Sequence, residues 1–340
     1  MRDLLIAGGG PTGLAAALYA ARAGLDVEIR EPRAGDIDKA CGEGLMPSAV
    51  ADLADLGVRL DGHPIAGIRY VDGTSSAEAT FRHGPGMGVR RTALHAALRE
   101  RAAAAGVTTS PSAVHEIVDR GDHLLVDGEA TRHLIAADGL HSPVRRRLGL
   151  DGPPPRQRRY GLRCHVRLAP WTPYVEVHWG ARGEAYVTPV GDGLVGIAVL
   201  SAERRPFEDL LRDFPALAER LAGQPRTRVR GAGPLRQRVR ARVSGRVLLV
   251  GDAAGYVDAL TGEGIALGLA QARAAVAAVR DGEPDRYEED YRRLGRRHDL
   301  LTHSLLVATS VPVLRRRIVS AAQRMPGLFG AAVDQLARPA

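Results

Sequence analysis

The apolar positions near the N-terminus predict a β-α-β unit. Leu4 to Ala7 is a short apolar run, and Leu14 to Ala23 is an alanine-rich segment that Gly24 ends. A second apolar run begins at Val27. Short apolar runs are typical of buried strands, and a glycine after the last periodic position is typical of a helix end. We therefore expect a strand, a helix and a second strand.

The rest of the chain continues the alternation and then changes character. Helices are expected at 49–56, 92–105 and 265–279, and strands at 65–81, 114–118, 124–126, 134–137 and 246–250. Three successive strand patterns at 174–179, 184–189 and 194–200 indicate a separate antiparallel layer. From Tyr287 onward the pattern is helical and amphipathic. A mixed α/β fold with an added β layer and C-terminal helices follows.

Composition narrows the class of protein. The 340 residues are 45% hydrophobic and 25% charged, which is typical of a globular chain. The formal charge is +8, yet the arginines are scattered, only 4% of residues are aromatic and Lys39 is the single lysine, so we expect no nucleic-acid partner. Two cysteines, no signal-peptide pattern and no apolar run of about 18 residues favour a cytoplasmic protein.

A glycine-rich turn directly after the first strand predicts a dinucleotide site. The segment Gly8-Gly9-Gly10-Pro11-Thr12-Gly13 fits the GxGxxG pattern and opens the first helix. Glycines permit a tight turn and close approach of a pyrophosphate, whose charge the helix N-terminus favours. Glu31 follows the second strand, where a carboxylate accepts hydrogen bonds from an adenosine ribose.

Two later segments resemble the second and third fingerprints of the FAD-dependent aromatic hydroxylases of the para-hydroxybenzoate hydroxylase type. They are Asp138-Gly139-Leu140-His141-Ser142 with Arg145, and Gly251-Asp252-Ala253 after an apolar run. Arg91, with Leu94 and Leu98, is similar to the arginine of that family that approaches the flavin linker. The resemblance, which covers residues 4 to about 280, implies FAD as the cofactor, bound by residues of all these segments.

Two loops are similar to those of the geranylgeranyl reductases. Thr261-Gly262-Glu263-Gly264 precedes a helix whose N-terminus can stabilise negative charge on a reduced flavin, although Ala259 stands where that family carries proline. The other loop, Lys39 to Pro47, brings Cys41 and Glu43 toward substrate as catalytic candidates together with Lys39. Cys41 is equally typical of a small buried hydrophobe, and Lys39 of a solvated charge.

The resemblance implies a Rossmann-like FAD domain at 1–62, 89–154 and 236–285, an inserted β-sheet substrate domain at 63–88 and 155–235, and a helical segment at 286–340. His165, His178 and Tyr186 lie on the β layer and are expected in the substrate wall. No His, Cys and Asp spacing indicates a metal. The tail offers weak membrane contact, a cover for the substrate pocket, or packing on the protein's own surface.

The resemblance leaves several activities open. We favour a monooxygenase that hydroxylates an aromatic or polyketide-like molecule of secondary metabolism, with a reductase that passes hydride to a C=C bond of an isoprenoid as the alternative. A halogenase is a minor option, because Glu184 to Pro189 lacks the tryptophans of that family, and a non-catalytic flavoprotein is another. No second GxGxxG is present for NAD(P)H, which agrees with transient binding of the nicotinamide or with a separate flavin reductase.

Overall fold

The N-terminal β-α-β unit lies at the centre of the larger of two main sheets. The computed structural model describes residues 1–73, 75–155, 158–260, 262–315 and 317–337. The mixed α/β fold expected from the sequence, with a Rossmann-like sheet, an added β layer and C-terminal helices, is confirmed.

The strands are β1 (Arg2–Ala7), β2 (Val27–Arg30), β3 (Gly44–Leu45), β4 (His63–Ile65), β5 (Gly67–Asp72), β6 (Ser75–Thr80), β7 (Gly86–Gly88), β8 (Thr108–Ser110), β9 (Ile117–Asp119), β10 (Leu124–Val126), β11 (Glu129–Ala136), β12 (Tyr160–Val166), β13 (Tyr174–Trp179), β14 (Gly183–Gly191), β15 (Leu194–Ser201), β16 (Arg230–Ala232), β17 (Val243–Ser244) and β18 (Val247–Leu249).

The helices are α1 (Pro11–Arg22), α2 (Pro47–Asp55), α3 (Arg91–Ala104), α4 (Pro143–Arg147), α5 (Phe207–Leu211), α6 (Pro215–Arg220), α7 (Gly264–Arg280), α8 (Arg286–Ser310), α9 (Pro312–Arg315), α10 (Ile318–Arg324) and α11 (Pro326–Ala337). A short 3-10 helix spans Gly251–Ala254.

The first sheet has the order β17-β18-β11-β1-β2-β8 and is parallel around β1, while β10 and β9 extend it from β11. Ile6 of β1 pairs with Ile29 of β2 on one side and Ile135 of β11 on the other. All three side chains are fully buried, because α1, α3 and α7 cover this face of the sheet. Consequently the carboxyl ends of β1, β11 and β18 meet at one edge, where the glycine-rich turn begins.

The second sheet has the order β16-β12-β15-β14-β13-β5-β6. Its pairings are antiparallel except between β13 and β5, where Val177 pairs with Tyr70 in a parallel register.

The division of the chain into domains at the boundaries given above stays a prediction. Among the elements that the sequence did not predict are β12, whose Arg163 and His165 interrupt its apolar pattern, and the short helices α5 and α6.

The C-terminal helices pack partly on the second sheet. Helices α10 and α11 contact β6, and the ring of Phe329 lies 4.6 Å from that of Tyr70, centroid to centroid. Helix α8 packs against α7 of the first sheet. The C-terminal segment therefore covers a face where the two sheets meet.

Candidate functional site

A cavity of about 480 Å³ runs between the two sheets and has a polar end and an apolar end. The polar end is bordered by Gly10, Pro11, Thr12, Lys39, Arg91, Asp138, Gly139 and Asp252. The apolar end is bordered by Ile65, Ile68, Phe81, Val177, Leu200, Leu260 and Leu336. Such a shape suits a ligand set with phosphates at one end and hydrocarbon at the other.

The glycine-rich turn has the conformation that its sequence predicts. Gly8 has φ of +104°, and a Cβ there would lie 2.5 Å from the carbonyl oxygen of Ala137. A Cβ on Gly10 would instead enter open space, with the nearest atom, Nη2 of Arg91, at 4.0 Å. The turn thus leaves room above Gly10 for a group that approaches the backbone closely.

Glu31 lies at the end of β2 against this turn. Its Oε2 accepts a hydrogen bond of 2.8 Å from the backbone N–H of Gly9, and Arg33 binds the same carboxylate. Burial acts to raise the pKa of Glu31, but the hydrogen bonds from Arg33 and Gly9 outweigh it, so the pKa is lowered. The structure places an ionised carboxylate beside the turn, where the sequence predicts a ribose contact.

Asp138 and Gly139 of the second fingerprint border the cavity, and Arg145 of the same fingerprint bonds to other segments of the site. Arg145 is buried; its Nε pairs with Asp151 Oδ1 at 2.6 Å and its Nη1 donates to the carbonyl of Ala253 at 3.0 Å. A third bond reaches the carbonyl of Leu140. One side chain therefore ties the second fingerprint to the third.

The third fingerprint brings Asp252 to the polar end of the cavity. Its Oδ2 lies 2.9 Å from Nζ of Lys39. Gly251 has φ of +59°, and a Cβ there would lie 2.9 Å from Oγ1 of Thr12, so α1 and the third fingerprint touch. Ala253 is fully buried beneath them.

Glu43 holds the loop that carries Lys39 and Cys41. The carboxylate is buried and accepts hydrogen bonds from the backbone N–H of Arg91 at 2.8 Å and from Nε2 of His165 at 2.7 Å. Arg163 lies near the same carboxylate and pairs with Asp38. Cys41 also borders the cavity, and its Sγ accepts from the N–H of Glu43 at 3.4 Å.

The reductase-like loop before α7 contributes backbone to the cavity. Gly262 and Gly264 border it, whereas Oε2 of Glu263 lies 2.5 Å from Nδ1 of His298 on α8. Thr261, predicted as part of this loop, lies outside the described residues. The N-terminus of α7 at Gly264 faces the cavity, as the charge-stabilising role requires.

The three predicted wall residues have different positions. Tyr186 borders the cavity, and its hydroxyl donates to the carbonyl of Leu260 at 2.8 Å. His165 is held by Glu43, and His178 forms a contact of 3.0 Å with Glu176. Neither histidine is among the residues that border the described cavity. Sequence reasoning missed Arg163 and Leu336, since neither a strand arginine nor a tail leucine carries a motif.

The residues at the polar end fit FAD. Oδ1 of Asp138 is buried without a hydrogen-bond partner in the part of the chain that the structure describes, and burial raises the pKa of this carboxyl group. Nε of Arg91 is likewise buried without a described partner, beside the open space above Gly10. A guanidinium nitrogen and a carboxyl oxygen without described partners suit a pyrophosphate and a polyol hydroxyl, respectively, while Oδ2 of Asp138 accepts from the N–H of Val144.

Comparison with known proteins assigns the family. The family of the FAD binding domain matches residues 1–283, so the chain belongs to this family. The menaquinone reductase of Mycobacterium tuberculosis strain H37Rv is 32% identical, over 92% of this chain and 87% of that protein. The digeranylgeranylglycerophospholipid reductase 1 of Methanopyrus kandleri is 30% identical, over 85% and 87%, respectively.

Solved structures share the fold. A flavoprotein/dehydrogenase from Cytophaga hutchinsonii superposes with a TM-score of 0.81 at 18% identity, over 98% of this chain and 96% of that one. The flavin-dependent brominase Bmp2 gives a TM-score of 0.83 at 15% identity, over 99% and 93%. The protein is an FAD-dependent oxidoreductase, as its three fingerprints predict.

Proposed function

We propose that the protein is an FAD-dependent reductase that saturates a C=C bond in the polyprenyl chain of a lipid. The observation that carries this proposal is the apolar end of the cavity. Aliphatic and aromatic side chains border it, among them Ile65 of β4, Val177 of the second sheet, Phe81 after β6 and Leu260 before α7. Transfer of a hydrocarbon chain from water into such a space is favourable, whereas a small polar phenol would leave much of the space unfilled.

The names of the relatives support the same substrate class. One group acts on menaquinone and the other on a digeranylgeranylglycerophospholipid. Menaquinone and this phospholipid have unrelated head groups but share a polyprenyl chain. A substrate defined by its chain agrees with a cavity that offers hydrocarbon contacts at the end away from the fingerprints.

Saturation of a double bond adds a hydride to one carbon and a proton to the other. FAD, when bound and reduced, supplies the hydride. Cys41 borders the cavity and its sulfur accepts a hydrogen bond from Glu43, which leaves its own S–H available. The hydroxyl hydrogen of Tyr186 is engaged by Leu260. We therefore assign proton delivery to Cys41 and a shaping role to Tyr186.

The remaining predicted site residues act by position. Glu43 holds the 39–46 loop against α3 and β12 through Arg91 and His165. Lys39 neutralises Asp252 at the polar end, and the N-terminus of α7 favours negative charge nearby. These roles orient the ligands and need no free acid from Glu43.

Hydroxylation, the activity that the sequence favours, is the competing proposal. The chain length and the second fingerprint favour it, but Arg145 of that fingerprint joins it to Asp151 and Ala253, a role equally compatible with reduction. NAD(P)H or a separate flavin reductase is proposed as the source of electrons in either case.

Product analysis separates the two activities. FAD-loaded protein is reduced chemically without oxygen and incubated with menaquinone, with a digeranylgeranyl lipid and with a phenol, and then parallel samples receive oxygen. We expect products that gain two hydrogens in the polyprenyl chain, with the quinone ring of menaquinone reoxidised before analysis, and that form without oxygen. A product that gains one oxygen atom, formed only in aerated samples, would support hydroxylation instead.

A further inference from the structure

The C-terminal helices carry an apolar outer surface. Among the described residues, the large hydrophobic side chains with exposures of 40% to 69% are Met1 and seven that all lie between positions 300 and 328. These seven are Leu300, Val307, Val311, Val313, Leu314, Met325 and Leu328, which we call the outer patch. Scattered exposed leucines are common, but a concentration of this kind indicates an interaction surface.

The outer patch lies opposite the face that packs on the protein. Leu300 and Val307 are seven residues apart on α8, so they share one face of the helix. Leu305 and Leu306 lie toward the protein and pack on the cluster that includes the apolar cavity wall. On α11, Phe329 and Val333 are buried while Leu328 is exposed. One layer of helices thus has hydrocarbon on both sides.

The charge around the outer patch from Val307 onward is positive, whereas the exposed Asp299 stands beside Leu300. Asp334 is the only acidic residue after position 300, and arginines stand at 315, 316, 317, 324 and 338. Asp334 is buried and pairs with Arg82 at 3.0 Å, whereas Arg317 and Arg324 are exposed. A helical surface with exposed apolar side chains and arginines beside them suits an anionic bilayer surface.

The same helices close the apolar end of the cavity. Leu336 of α11 borders the cavity, and Phe329 packs on Tyr70, which also borders it. In the described residues, none of the helices combines the length and apolar character needed to cross a bilayer. Helix α11 thus carries the exposed Leu328 of the outer patch as well as Leu336 of the cavity wall.

We propose that the outer patch docks on anionic phospholipid bilayers and that polyprenyl chains pass from the bilayer beneath α8–α11 into the apolar end of the cavity. This inference rests on the proposed function, because a water-soluble substrate would have no need of such a contact. A second copy of the chain would fit the apolar side chains but not the like charges of the arginines.

The test measures binding of the FAD-loaded full chain to vesicles by flotation. Vesicles of phosphatidylcholine alone are compared with an equal mixture of phosphatidylcholine and phosphatidylglycerol. We expect flotation with the anionic vesicles and much less with neutral ones. The double variant Leu314→Gln/Leu328→Gln should bind at least about 10-fold more weakly, since two side chains no longer enter the lipid. Arg317→Gln and Arg324→Gln should each weaken anionic binding about five-fold.

Two controls keep the test decisive. Arg120→Gln removes an exposed arginine that is distant in sequence from the outer patch, and this variant should bind vesicles as the wild type does. All variants should keep the flavin absorbance, the unfolding midpoint and the turnover of a short water-soluble prenyl substrate. Unchanged binding of the leucine variant, or a wild type that stays out of the lipid fraction, would overturn the inference. So would a dimer that the leucine variant breaks without any vesicle binding.

Failure of the proposed function gives a different result. Vesicle binding that depends on the outer patch, without reduction of any polyprenyl lipid, would support the docking surface and contradict the proposed reductase function. Reduction of detergent-solubilised prenyl lipids without vesicle binding would support the reductase function and contradict the docking surface.

Discussion

Glu43 Oε2 lies 2.7 Å from Nε2 of His165, and both side chains are buried between the two main sheets. The other oxygen of the carboxylate accepts from the N–H of Arg91, the first residue of α3. One carboxylate therefore joins the 39–46 loop, the second sheet and a helix that borders the cofactor end of the cavity. This arrangement gives Glu43 a positioning role.

Replacement of Glu43 separates positioning from acid catalysis. Glu43→Ala leaves His165 and the nearby Arg163 without this partner, and we expect a loss of about 3 kcal/mol in the free energy of unfolding. Glu43→Gln can still accept from Arg91 and should keep most of the stability and turnover. Urea unfolding and steady-state kinetics check both. A Glu43→Gln variant that is stable but inactive would show that the carboxylic acid itself is needed.

Arg145 should be essential for the junction of the second and third fingerprints. Arg145→Lys cannot reproduce bonds to Asp151, Ala253 and Leu140 together, because lysine has a single nitrogen in place of the planar guanidinium. We expect about 3 kcal/mol lower stability and weaker FAD binding. The neighbouring Arg146 is exposed, so Arg146→Lys is a matched control that should change neither quantity.

Stability should fall with rising pH because of Asp258. Burial raises its pKa to about 6, despite an Arg159 nitrogen at 3.3 Å. The folded protein therefore binds a proton more tightly than the unfolded chain, so this contribution is complete below about pH 3.8 and is lost as pH rises toward 6. Asp258→Asn cannot titrate. Denaturant unfolding measures the free energy of unfolding of both proteins from pH 4 to 8. Over this range the value for Asp258→Asn should rise by roughly 2 kcal/mol relative to the wild type. A difference that stays constant with pH would contradict this assignment.

Gly10 tests the cofactor site without disturbing the fold. A Cβ at this position meets no atom closer than 4.0 Å, so Gly10→Ala should fold normally. The added methyl enters the space assigned to the pyrophosphate, and we expect FAD affinity to fall at least about 10-fold, equal to about 1.4 kcal/mol. Gly193→Ala, at an exposed position where a Cβ also meets open space and which does not border the cavity, is the control. Flavin fluorescence titration measures the FAD affinity of both variants. Equal affinities would show that the pyrophosphate does not bind above Gly10.

Ala198 tests the apolar end. It borders the cavity, so Ala198→Phe should fill part of the space that a long chain needs. We expect turnover of a digeranylgeranyl lipid to fall at least about 10-fold, with FAD affinity unchanged. Ala202→Phe, at an exposed position, should behave as the wild type. Equal turnover by the two variants would place the substrate outside this end of the cavity.

Much of the fold could be predicted because its central elements have regular patterns. The strand predicted at 174–179 and the helix predicted at 265–279 agree with β13 and α7 to within one residue at each end. Strand β12 was not predicted because its inward residues Arg163 and His165 are polar. Their respective partners, Asp38 and Glu43, lie more than a hundred residues away in the chain. Polar residues that are buried through distant partners have no local signal.

The site shows the same limit. Motifs identify the cofactor end, since its glycines and aspartates serve backbone geometry that is local in sequence. Which side of a strand faces the cavity is decided by packing, and Val177 borders it while the adjacent His178 does not. The apolar end is assembled from Ile65 of β4, from strands of the second sheet and from Leu336 of the tail, so its extent required the three-dimensional structure.

The most direct test of the central claim is a single turnover without oxygen. FAD-loaded protein is reduced, freed of reductant, and mixed in an anaerobic stopped flow with menaquinone or a digeranylgeranyl lipid, and the flavin absorbance is followed. We predict that the oxidised flavin spectrum returns without oxygen, in proportion to a product with one double bond fewer in its polyprenyl chain, and that this also holds for the digeranylgeranyl lipid, which has no quinone ring. A flavin that stays reduced with every polyprenyl lipid, and reoxidises only when oxygen is admitted together with hydroxylation of an added aromatic compound, would contradict the account.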